Sequence, residues 1–444
     1  MVMLGIALVV LSCALVAAGI GAVALTWIIM EESPSPAFSS LTTKPLRMVS
    51  DVNKNGYLLL LGFDAPPGQH PIQAGYERKS DGSDLDKALA CLGGPGDSPM
   101  PGQSSVSAKA LSGWFGKSDS VGQFRSNRAA ITGWAAQGEA MLLRYKQWQQ
   151  LSFEDWGYGQ AVSPPCAAIN IAHRLYMADG FAQGTDIGID RLERDMEAWR
   201  NVLGQARTLP VKTLALQAIN DDIAVASGLL AQPGFDDKYL GSLAKMLRPL
   251  DQAELSIRWP MQSELVAAAK TFESQLKVKR EGEQAIHVAI ASALPLPKQR
   301  RLNDYADYYE ASDRAAVEGR HGALPKWSAY IQFPVSKMTD YFTNPIENIV
   351  GLEPLAPWDT YNGLTVDTEA RLRLASLQAW IRRGSQDADL LPRIAKAGQK
   401  FYDPYTGMPM LVNRKKGVMY SVGHDGKDQD ADPQSDVVVA IPAN

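Results

Sequence analysis

Charge is absent from the first thirty residues. No acidic or basic side chain precedes Glu31, and the run from Val2 to Met30 is dominated by apolar residues. A cleaved signal peptide carries a basic n-region, a shorter apolar stretch of about 7–15 residues and a small-residue cleavage site. The first two features are missing. Ala22-Val23-Ala24 has the small residues of the third, yet Leu25, Trp27, Ile28 and Ile29 carry the apolar helix past it. The hydrophobic residues after Ser12-Cys13 argue against a lipid attachment site in the same way. A hydrocarbon core of roughly 30 Å needs about 20 residues of helix, so residues 2–30 are expected to span the inner membrane as an uncleaved anchor. The charge count flanking the run is sparse. The α-amino group stands on one side, with Glu31 and Glu32, then Lys44 and Arg47, on the other. This arrangement predicts a single-pass protein with the bulk of its chain in the periplasm.

Other absences exclude whole classes of function. Lys and Arg total 44 against 48 Asp and Glu, a net charge of −4, so no basic field attracts nucleic acid. Cysteine is scarce: with Cys13 in the anchor, only Cys91 and Cys166 remain, as one disulfide in an oxidising compartment or as two separate buried thiols. The five histidines (His70, His173, His287, His321, His424) lack ligand spacing and read as surface or satisfied core residues. No His-Glu-x-x-His, Gly-x-Ser-x-Gly, phosphate-binding loop or dinucleotide fingerprint occurs. Ser242-Leu243-Ala244-Lys245 fits Ser-x-x-Lys but has no Lys-Thr-Gly partner, and on a helix that spacing is commonplace. The pairs Glu193 with Glu197 and Asp221 with Asp222 read as solvated helix surface.

What is present is helical periodicity. Ala130, Ile131, Trp134, Met141, Leu142, Tyr145 and Trp148 recur at helical spacing. After Pro164-Pro165, helices are expected over 167–177, with Ala178-Asp179-Gly180 as a turn, then over 187–206, 211–230, 235–247 and 368–383. Long helices joined by short Pro/Gly connections predict an antiparallel helical-hairpin array, without a fixed repeat period. Four segments follow: an anchor at 1–31, a tether and irregular segment at 32–122, a helical domain at 123–400 and a C-terminal module at 401–444. Residues 56–64 are apolar but too few to decide helix against strand. The stretch 305–342 is rich in rings (Tyr305, Tyr308, Tyr309, Tyr330, Phe333, Tyr341, Phe342) that either line a ligand groove or cover the core.

The C-terminal module has strand-like pieces at 410–412, 418–422 and 437–441, the first two joined by a Lys/Arg-rich turn ending at Gly417. Between the last two, Asp425, Asp428, Asp430, Asp432 and Asp436 face a single Lys427. Such a loop is either a solvated acidic turn or a cation site. An EF-hand is excluded, because Pro433 replaces the required glycine and Val439 the terminal glutamate. Residues 403–409, 419–428 and 435–438 resemble the C-terminal β-meander of the major pseudopilins of type II secretion. The resemblance implies Ca²⁺ bound through Asp425 and Asp436 with loop carbonyls, and through Asp430 and Asp432 where the loop length differs. It covers about the last tenth of the chain and the helix leading into it. The apolar N-terminal run lacks the glutamate of a processed pilin, and the long helical middle is foreign to pseudopilins. Residues 55–67 resemble the early segment of uncharacterised membrane-anchored proteins of Gram-negative bacteria, which brings no known activity.

The fold expected is therefore mainly α, with an N-terminal transmembrane helix and a small C-terminal antiparallel β-meander. The function expected is a membrane-anchored envelope scaffold that binds an envelope protein or glycan and has no catalytic residues. The alternative is a peptidoglycan hydrolase or transferase with its groove at 305–342.

Overall fold

A computed structural model of the chain describes residues 33–81, 91, 105–115, 117, 119–159, 162–266, 269, 298–319, 358–384 and 390–443. The expected anchor at 2–30 and the aromatic residues of 305–342 beyond 319 lie outside them. The chain divides into two compact units. The first comprises Met1–Thr43, Leu265–Glu310 and Lys326–Ala356, and the second Lys44–Glu264, Ala311–Pro325 and Pro357–Asn444. Fifteen α-helices and one three-stranded sheet occur among the described residues, so the protein is mainly helical with a small C-terminal sheet.

In the first unit, the start of the segment expected to be a tether carries a short helix. Ser35 caps α1 (Pro36–Thr42), its Oγ accepting from Phe38 N–H, and Pro36 takes the first turn where no N–H is needed. Asn303 of α13 (Lys298–Val317) accepts from Ser35 N–H at 2.8 Å and donates to the Ser33 carbonyl at 3.0 Å.

The second unit opens with α2 (Gly56–Leu61), every residue of which is buried. Buried Asn55 settles helix over strand by accepting from Tyr57 N–H at 3.0 Å and donating to the Glu154 carbonyl at 2.9 Å. Against α2 packs α3 (Pro71–Asp81). A Cβ on Gly62 would lie 1.9 Å from the Pro71 carbonyl oxygen, and one on Gly75 1.9 Å from that of Leu58, so the glycines permit this approach. Four helices follow: α4 (Ser105–Phe115), α5 (Ser120–Ser126), α6 (Arg128–Gln137) and α7 (Glu139–Trp148). They surround α8 (Cys166–Gln183), which packs in turn on α9 (Thr185–Gln205). The turn expected at Ala178-Asp179-Gly180 is absent, and α8 runs through to Gln183. Gly180 makes room for the Arg191 side chain of α9, and Asp179 pairs with it at 2.8 Å. The glycine serves packing.

Helix α10 (Leu209–Ala231) lies against α9 and α14 (Trp358–Arg382). It is long and apolar enough to cross a membrane, but 72% of its apolar window is buried inside the protein, as in a core helix. Two shorter helices, α11 (Leu240–Met246) and α12 (Gln252–Leu255), pack on α9. Helix α14 carries two apolar stripes. Leu372, Ala375 and Ala379 join the main core, while Ala370, Leu374, Leu377 and Ile381 meet Met410, Met419, Val437 and Val439 in a smaller one. Each fully buried leucine contributes about 1.5–3 kcal/mol. After α15 (Leu390–Lys396), strands β1 (Leu411–Asn413), β2 (Val418–Ser421) and β3 (Val437–Ala440) form an antiparallel meander in that order. Leu411 pairs with Tyr420 and Tyr420 with Val438. Gln378 of α14 donates to the Ala440 carbonyl at 2.7 Å, tying the sheet to the helix.

Candidate functional site

The two cysteines outside the anchor are joined. Cys91 and Cys166, 75 residues apart, form a buried disulfide with Cα atoms 5.4 Å apart. Cys166 is the first residue of α8, so the bridge fixes the start of the helix that carries His173.

His173 stands at the centre of the helical unit, in van der Waals reach of rings from α4, α7 and α9. The centroids of the Phe115, Tyr145 and Trp199 rings lie 6.1, 6.3 and 6.5 Å from that of the imidazole. Its side chain and those of Asp195 (α9) and Asp222 (α10) have no solvent exposure. Asp195 Oδ1 accepts from the Tyr145 hydroxyl at 2.7 Å and from Gln149 Nε2 at 2.6 Å, and Trp199 Nε1 donates to the same hydroxyl at 2.8 Å. Asp195 Oδ2 lies 2.8 Å from His173 Nδ1, which is also 3.1 Å from the Tyr145 oxygen. On the other side of the ring, Nε2 is 3.9 Å from Asp222 Oδ1 and 3.8 Å from Asp221 Oδ2. Asp221 is partly exposed and paired with Arg174 at 2.6 Å. One ligand atom each from His173, Asp195 and Asp222 lies within 4.8 Å of the others. It is the sole such group of three among the described residues.

This polarity is incompletely satisfied. His173 Nε2 and both Asp222 oxygens are buried without a hydrogen-bond partner among the described residues, and Asp195 Oδ2 meets no donor in hydrogen-bond geometry. Each such group costs about 1–3 kcal/mol. Burial first, then the carboxylates of Asp195 and Asp221, hold the Asp222 carboxyl well above the usual carboxylate range. Burial and Asp195 likewise push the Tyr145 hydroxyl up, keeping it a donor.

Around the cluster, other buried charges are fully partnered. Asp155 accepts from Arg207 N–H, Thr208 N–H and Thr208 Oγ1 at 2.8–2.9 Å, at the positive end of α10. Lys212, also buried, donates to the carbonyls of Leu203, Glu254 and Ser256. Burial lowers the Lys212 ammonium to about 8 despite the carboxylates of Asp313 and Glu254. Glu254 takes both Arg200 and Arg248 in paired bonds of 2.7–3.0 Å and completes a capping box with Asp251. Arg200, Arg248, Asp251 and Glu254 form part of the wall of an open cleft of about 530 Å³, which Glu193, Glu197, Ser242 and Lys245 also line.

The residues expected to bind calcium lie on the connection between β2 and β3. Asp425 accepts from Lys427 N–H at 2.9 Å and from Gln429 Nε2. Asp430 is exposed, takes up φ +58° and accepts from Asn413 Nδ2 at 2.8 Å. Asp432 accepts from Gln434 N–H at 3.1 Å, and its own N–H donates to Asp436 Oδ2 at 3.0 Å. Asp436 is buried, with Oδ1 unpartnered among the described residues, as is Gln429 Oε1. Gly423 (φ +68°) holds the loop's entry, where a Cβ would lie 2.3 Å from the Ser435 carbonyl oxygen. In the aromatic stretch, Tyr305, Tyr308 and Tyr309 are buried.

The buried cluster is what sequence reasoning missed. His173 is not a satisfied core histidine, and Asp222 is not solvated surface. The available signal was charge falling on an apolar stripe: Leu192, Asp195, Met196 and Trp199 share one helix face, as do Ile219, Asp222 and Ala226. Comparison of the chain with protein-family models, with curated proteins and with solved structures finds no match.

Proposed function

We propose that this chain is a membrane-anchored envelope protein. Residues 2–30 hold it in the inner membrane, and its helical body acts in the periplasm as a scaffold that binds another envelope protein or a glycan. The observation that carries this reading is the Cys91–Cys166 disulfide, since such bonds persist in oxidising compartments and are rare in the cytosol. The hydrogen-bonded burial of the charged residues Arg200, Lys212 and Glu254 supports a rigid body. The C-terminal loop binds Ca²⁺ through Asp436 and Asp425 with backbone carbonyls, helped by Asp430 and Asp432. Its support is the pair of buried oxygens that meet no donor among the described residues, Asp436 Oδ1 and Gln429 Oε1, which are oxygen ligands of the kind calcium takes. The hydrolase reading places its groove at 305–342, whose described rings at 305, 308 and 309 are turned into the protein.

The decisive experiment is protease treatment of spheroplasts. The body is expected to be digested from outside while a cytosolic marker survives; full protection of the tail would end the envelope reading. For the loop, thermal unfolding with Ca²⁺ and then with chelator is expected to show a calcium-dependent rise that D436A removes. Identical curves would remove the cation from the proposal and leave the topology standing.

A further inference from the structure

We propose that His173, Asp222 and Asp195 form a second, buried metal site, built for a divalent first-row transition-metal ion such as Zn²⁺ or Mn²⁺. It is independent of the calcium loop and of the chain's location. His173 Nε2 and the Asp222 carboxylate supply the bonds to the ion. Asp221 Oδ2, 3.8 Å from the same nitrogen, completes the set from the partly exposed side. Asp195 is the positioning residue. Its Oδ1 is fixed by Tyr145 and Gln149, and its Oδ2 charge, 2.8 Å from Nδ1, favours the proton on that nitrogen, where the Tyr145 oxygen at 3.1 Å can accept it, and leaves the lone pair on Nε2. A carboxylate behind a metal-bound imidazole is the usual outer-shell arrangement.

Three observations converge on an ion. The first is the set of unpartnered atoms. A proton shared between Asp222 and Asp195 would satisfy one oxygen of each, leaving His173 Nε2 and the second Asp222 oxygen without partners. One cation satisfies all of these together. The second is charge. Asp221 is neutralised by Arg174, so Asp195 and Asp222 leave two uncompensated carboxylates in a pocket walled by Phe115, Tyr145 and Trp199. A divalent ion balances them. The third is donor chemistry: one imidazole nitrogen with carboxylate oxygens and no thiolate suits zinc or manganese, whereas calcium prefers oxygen alone. The ligands come from α8 and α10 and the positioning carboxylate from α9, so the site would tie three helices together.

The test uses the full chain, purified in detergent without added metal. Mass spectrometry of its metal content is expected to find about one zinc or manganese per chain. After chelator treatment, added ZnCl2 or MnCl2 is expected to raise the unfolding midpoint by about 5 °C or more. H173Q and D222N are expected to abolish that rise, and D195N to weaken metal affinity about 10–100-fold, as loss of an outer-shell carboxylate does. D436A should retain it, which separates this site from the loop. Helical circular dichroism confirms that each variant is folded. Asn at 222 mimics a protonated carboxyl, so D222N also tests the proton-sharing account. A wild type that purifies metal-free and does not respond to either ion, with D222N equally stable, overturns the proposal.

Discussion

The C-terminal loop and the helical core both concentrate acidic side chains, and they satisfy them by opposite means. In the loop, Asp425, Asp428 and Asp432 each accept from the N–H two residues on, so their partners belong to the same short stretch. In the core, Asp155, Asp195 and Glu254 are served by Thr208, Tyr145 and Arg200, dozens of residues away in the chain. The loop can therefore form wherever its own turns form. The core acids are paid for by the assembled fold, and removing one strands a partner that water cannot reach.

That contrast predicts a graded series of effects. Largest is E254A, which leaves Arg200 buried without its carboxylate and is expected to cost about 3–5 kcal/mol in urea unfolding. A loss under 1 kcal/mol would mean the core tolerates stranded charge as the loop does. Next, the double variant C91A/C166A is expected to lose about 2–4 kcal/mol, matched by the wild type in reductant. A wild type that does not respond to reductant would show the bridge absent. Third comes Lys212, whose folded-state value of about 8 lies below its ordinary 10.5. The unfolded chain then binds more protons between those values, so this residue's contribution rises as pH climbs through 8 toward 10.5. The stability gap between wild type and K212M is expected to widen in favour of the wild type by about 2 kcal/mol from pH 7 to pH 10. The buried tyrosines are common to both chains and cancel from the difference. Smallest is D430N in the loop, where asparagine also tolerates φ +58° and solvent screens the charge; a change within about 0.5 kcal/mol is expected. A larger loss there would show that the loop depends on its carboxylates as heavily as the core does.

The same contrast explains what the sequence made legible. The meander was readable because its turns, its strand alternation and Gly417 are local signals, and its three strands fall within a residue or two of expectation. The long helices were readable from their stripes. Gly180 misled, because a glycine that admits Arg191 looks in sequence like one that ends a helix. The buried histidine cluster takes one residue from each of three helices, a spacing no local motif encodes. Asp221-Asp222 shows the limit most clearly: adjacent identical residues, one partly exposed and paired with arginine, the other sealed from solvent.

The crosslink at Cys166 has a practical corollary for anyone making this protein. It anchors the first turn of the helix that bears His173 two turns later, so material produced in a reducing host would begin that helix untethered. Export to an oxidising compartment, or an oxidising expression strain, is then the condition under which the histidine pocket should be assayed.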